Sequence, residues 1–73
     1  MTDKEELQRA IGKRIKALRE SKNIAQQDLA AACNFEKSNM ARLEAGNTNA
    51  TIYTLKIIAK NLKVELSDLV KDL

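Results

Sequence analysis

QQDLAAACNFEKSNMARL, residues 26–43, is the stretch on which the fold turns. Leu29, Ala30 and Cys33 form one apolar set and predict a short helix from about Gln26 to Ala32. Asn34 interrupts the pattern. Phe35, Met40 and Leu43 form the next set, on a helix from about Lys37 to Ala45 that closes at Gly46. The turn between the two is only three or four residues long. Asn34 stands where a positive φ is cheapest after glycine. Ala30 and Ala31 are small enough to let the helices approach closely. Two short helices joined this way cross steeply, which leaves the outer face of the second one protruding. That face carries Lys37, Ser38, Asn39, Ala41 and Arg42, while Met40 and Leu43 point inward. Hydrogen-bond donors on a protruding helix narrow enough for a major groove are what readout of base edges requires.

Upstream, Leu7, Ile11, Ile15 and Leu18 recur at spacings of four, four and three. They mark one face of a helix from about Asp3 to Glu20. Thr2 or Asp3 would cap it, with Glu5 and Glu6 near the positive end of its dipole. Ser21-Lys22-Asn23 ends it, Asn23 being able to adopt the left-handed conformation. Downstream, Asn47-Thr48-Asn49 is the most turn-prone stretch of the chain. Thr51 can cap a fourth helix carrying Ile52, Leu55, Ile58, Ala59 and Leu62. Val64 and Leu66 lead to a fifth from about Ser67, with Leu69 and Val70 completing the core. The expected fold class is therefore all-α: five short helices around one core, in one domain spanning residues 1–73. No repeat or linker divides it.

Composition narrows the function. The chain has no histidine and one cysteine, Cys33, so neither a disulfide within it nor a zinc finger is expected, and His-dependent catalysis is out of reach. No metal site, catalytic residue or cofactor is predicted, and 73 residues leave little room for a substrate pocket; an enzyme is not expected. Cys33 reads as a small hydrophobe of the core. Phe35 and Tyr53 are the only aromatics, too few to stack the bases of single-stranded nucleic acid. A net charge of +3 suits an anionic partner but is mild, and an ordinary solvated surface would give the same figure. Met1 to Arg9 has no apolar core of a signal peptide, and no apolar stretch approaches a membrane span, so a cytoplasmic location is expected.

Three runs then carry a resemblance: IGKRIKALRE at 11–20, AQQDLA at 25–30 and KSNMARLEAG at 37–46, followed by TIYTLKIIAKNLKVELSDL at 51–69. Together they resemble the lambda-repressor-like (Cro/CI, or Xre) helix-turn-helix family of bacterial and phage transcriptional regulators, over about Leu7 to Val70. The resemblance implies double-stranded DNA as partner, with the helix-turn-helix at helices two and three. It puts Lys37, Ser38 and Arg42 at base edges, and Asn39 within reach of phosphate or base. Gln26, Asn47, Thr48 and Asn49 fall at phosphate contacts, and Arg19 with Glu44 at a structural ion pair. It further implies a homodimer on a palindromic operator, two third helices lying about one DNA turn apart. Ile57, Leu69, Val70 and Leu73 are expected at the dimer interface, although Ile57 suits plain core packing equally well. Lys13, Arg14 and Lys16 read as the wet face of helix one. A restriction-modification controller, a phage regulator and an antitoxin are all of this size.

The chain departs from the family pattern in several places. Ala25 stands where Ser or Thr usually caps the second helix, Glu36 where a small hydroxyl caps the third, Asn34 for a turn glycine and Ala50 for a proline. Glu36 also brings negative charge towards phosphate. These departures and the mild net charge leave a rival reading: a protein-interaction module of the same fold, with little direct base readout.

Overall fold

The computed structural model describes residues 3–73, which form α1 (Lys4–Ser21), α2 (Gln26–Ala32), α3 (Lys37–Glu44), α4 (Ile52–Leu62) and α5 (Leu66–Val70), with no strand among the described residues. The boundaries follow local chemistry. Asp3 caps α1, its Oδ1 accepting from the Glu6 amide at 2.7 Å; the alternative cap, Thr2, lies outside the described residues. Thr51 caps α4 by accepting from the Thr54 amide at 3.1 Å. Ala25, at the start of α2, supplies no such bond, as expected of alanine, and neither does Glu36 at the start of α3. Asn23 and Asn34 both take positive φ, at 58° and 60°. Lys63 does too, at 60°, closing α4 where glycine is the usual residue and where the sequence carries no warning.

One cluster of buried side chains joins the elements: Ile15 from α1, Leu29 and Ala30 from α2, Met40 and Leu43 from α3, Leu55, Ile58, Ala59 and Leu62 from α4, and Leu69 from α5, with Cys33 beside them. α3 packs on α1 and α2, while α5 is held between α1 and α4. Two first-turn residues expected on core faces, Leu7 and Ile52, are exposed. Leu69 is a clearer correction. Of its two expected places, in the core and at a second protomer, it takes the first: it is wholly enclosed by its own chain and has no surface to offer, whereas Val70, also expected in the core, is exposed.

Arg14 corrects the reading of α1 as wet along Lys13, Arg14 and Lys16. It is half-buried, and its guanidinium donates to the carbonyls of Asp68 at 2.7 Å and Lys71 at 3.0 Å, tying the end of α5 to the middle of α1. α5 is also braced locally. Asp68 Oδ2 accepts from the Glu65 amide at 2.9 Å, and that bond holds the Asp68 carboxyl below its ordinary range. α1 and α3 approach closely at Gly12. A Cβ placed there would lie 2.6 Å from the carbonyl oxygens of both Leu43 and Glu44.

Candidate nucleic-acid interface

α3 sits in a cradle. Met40 and Leu43 are buried beneath it, and its last residue, Glu44, carries a carboxylate that is also buried. That charge is satisfied from two sides. Arg19 of α1 donates from Nε to Glu44 Oε2 at 2.7 Å and from Nη2 to Oε1 at 3.0 Å, a bidentate pair with both residues less than a tenth exposed. Gln26 of α2 adds a third donor, Nε2 to Glu44 Oε1 at 2.9 Å. Arg19 Nη1 reaches on to the Ile24 carbonyl at 2.7 Å, in the turn before α2. The Glu44 hydrogen bond raises the Arg19 pKa above its ordinary value, against the opposing pull of burial. Three helices thus meet at one carboxylate, and the orientation of α3 relative to α1 and α2 is fixed there. The ion pair expected from the resemblance is present, and Gln26 braces the end of α3 through it. Gln26 keeps one amide N–H free of Glu44 for another acceptor.

The opposite face of α3 carries Lys37, Ser38, Asn39 and Arg42, all exposed. Arg42 has no carboxylate within ion-pairing distance among the described residues. Its Nη2 donates to the Asn39 side-chain oxygen at 2.6 Å. Ala41, expected outward with them, is partly covered. The loop after α3 folds back over the helix end. The Asn47 amide donates to the Arg42 carbonyl at 2.9 Å and the Gly46 amide to Leu43 at 3.1 Å, with Gly46 at φ 80°. Gln8 of α1 donates to the Gly46 carbonyl at 3.2 Å, a tether the sequence did not announce.

Beside α3 this loop leaves an open cleft of about 320 Å3. Phe35 and Leu43 line it on the apolar side, and Asn39, Arg42, Thr48 and Asn49 are among its polar walls. Of the residues expected at bases and phosphates after position 38, Asn39, Arg42, Thr48 and Asn49 are thus brought together around one cleft, and Asn47 is not among its lining. Ile57 is half-buried against the core, while Val70 and Leu73 are exposed, as are Ile52 and Tyr53 at the start of α4, at 68% and 74%. No helix among the described residues is long and apolar enough to cross a membrane.

Comparison with known proteins places this architecture. The helix-turn-helix family model HTH_3 matches residues 15–69. The immunity repressor protein of Bacillus phage phi105 is 33% identical over 60 residues, which cover 82% of this chain but 42% of the repressor; the chain spans about two fifths of that relative's length. The restriction-modification controller protein C.AhdI from Aeromonas hydrophila superposes with a TM-score of 0.81 at 26% identity, over 84% of this chain and 92% of the controller. A chain of the SinR protein/SinI protein complex superposes with a TM-score of 0.79 at 30% identity, over 85% of this chain and 61% of that one. With the cradled third helix, its exposed polar face and the match over most of the chain, this protein belongs to the HTH_3 helix-turn-helix family.

Proposed function

We propose that the protein is a sequence-specific regulator that binds duplex DNA as a homodimer on a palindromic operator, in a bacterial or phage-infected cytoplasm, with α3 in the major groove. The observation that carries this reading is Arg42, a cation without a carboxylate partner on the exposed face of a helix whose opposite side is locked by Arg19, Glu44 and Gln26. A guanidinium held on a rigid helix matches the O6 and N7 acceptors of guanine in the major groove. Lys37 and Ser38, at the start of α3, reach neighbouring base edges. Gln26, Asn47, Thr48 and Asn49 contact phosphates and fix the register of α3 along the duplex. Ile57, Val70 and Leu73 contribute to the contact between protomers. Regulation follows from occupancy of the operator, a reading supported by the likeness to a phage immunity repressor and to a restriction-modification controller protein.

The deciding experiment selects bound duplexes from a random-sequence pool and measures affinity for the winner by fluorescence anisotropy. Binding should weaken steeply as salt rises. Arg42→Ala should lower discrimination against a changed base pair by about 1–3 kcal/mol. Failure to bind any duplex at low salt would overturn the reading. Exposed Ile52 and Tyr53 support a second reading, in which this fold acts on a protein partner. A stable protein complex formed by a chain that ignores DNA is the outcome that would favour it.

A further inference from the structure

Asn39 and Arg42 stand one helical turn apart on the exposed face of α3, joined by the 2.6 Å bond from Arg42 Nη2 to Asn39 Oδ1. We propose that Asn39 is a positioning residue. It holds the Arg42 guanidinium in the attitude from which it reads a base, and it sets specificity through Arg42, not through a DNA contact of its own. The inference rests on the reading of α3 as the base-reading helix.

The chemistry of the pair supports this in three ways. A guanidinium can only donate, so the carboxamide of Asn39 must turn its oxygen to Arg42 and its Nδ2 away. The bond occupies one of five guanidinium N–H groups and leaves the rest for an acceptor pair on a base. Asn39 is also neutral. An aspartate there would hold Arg42 more tightly but cancel its charge beside the phosphates, whereas asparagine restrains the group and leaves the charge whole. Arg42 also has somewhere else to go. The cleft of about 320 Å3 between α3 and the 47–51 loop lies directly alongside and is lined by Arg42 itself. Without Asn39 the long side chain can swing into that space, and binding must then bear the cost of ordering it again.

A double-mutant cycle tests the proposal on the full chain, with Asn39→Ala, Arg42→Ala, the double variant and Asn39→Asp. The probes are the duplex that the unmodified protein selects from a random pool and the same duplex changed at the base pair whose identity Arg42→Ala ceases to distinguish. Asn39→Ala should reduce discrimination between the two by roughly 3- to 10-fold, the loss expected for freeing one long side chain. It should have no further effect once Arg42 is gone. Asn39→Asp should keep the discrimination while binding both duplexes more weakly, which a merely structural role would not produce. Circular dichroism checks that every variant is folded. A uniform loss of affinity for both duplexes in Asn39→Ala, persisting in the Arg42→Ala background, would assign Asn39 a contact of its own and overturn the proposal alone. Loss of discrimination in Asn39→Asp as in Asn39→Ala would do the same. An unmodified protein that binds all duplexes equally would overturn both this proposal and the operator reading.

Discussion

Gly12 shows how a single residue can be set by a neighbour far away in sequence. In the middle of an exposed helix, alanine is favoured over glycine by about 1 kcal/mol. Here the added Cβ would sit 2.6 Å from two carbonyl oxygens at the end of α3, and those atoms are backbone that cannot swing aside. Overpacking of this kind costs about 1–3 kcal/mol, so the steric effect outweighs propensity. Gly12→Ala should lower the denaturant midpoint without changing the slope; an unchanged or raised midpoint would show that α1 and α3 can part without penalty. None of this is visible in the sequence, where Gly12 reads only as a weak position in a helix. Arg14 hides in the same way, since its partners are carbonyls that any residue would supply. The Arg19–Glu44 pair, 25 positions apart, was legible through family resemblance alone. The exposed face of α3 was legible directly, because one helical period fixes which side chains oppose Met40 and Leu43.

The elements themselves were the most legible level, because each boundary is marked by a residue with a local job. Asp3 and Thr51 cap, Asn23 and Asn34 turn, and apolar spacing fills what lies between. What spacing could not supply was the limit of each packed face, so Leu7 and Ile52 appeared to belong to stripes that end one turn sooner. Lys63 was unreadable for another reason: its left-handed backbone is imposed by the return of the chain from α4 to α5, not by a lysine preference. α2 has an evident deficit, one that α3 shares. It has seven residues and an alanine at its N-cap, leaving its first amides without a side-chain acceptor. Ala25→Ser should supply that acceptor and stabilise the protein by about 1 kcal/mol, read as a rise in Tm. Ala25 is exposed, so the hydroxyl meets no steric obstacle, and a lowered Tm would mean that the start of α2 is held by something other than its cap.

At the scale of the whole molecule, size constrains assembly. The described chain measures 34 × 23 × 21 Å. Two reading helices one DNA turn apart are separated by about 34 Å, more than either short dimension, so in a symmetric pair α3 must lie away from the contact between protomers. In the proposed homodimer the enclosure of Leu69 leaves this contact to more exposed groups such as Val70 and Leu73. Light scattering on the protein bound to its selected duplex should give two protomers per duplex, and one protomer per duplex would remove the palindrome from the argument. Oligomeric surfaces are the part least readable in a sequence, since apolar spacing marks what is buried without saying by which chain. One buried group has a different consequence. Cys33 lies in the core, and burial pushes its thiol pKa up, so at neutral pH it is an uncharged and unreactive sulfur. Reagents that alkylate thiolates can reach it only when the helices separate. The chain therefore carries an internal clock: the rate at which Cys33 is labelled under native conditions counts the openings of its own core.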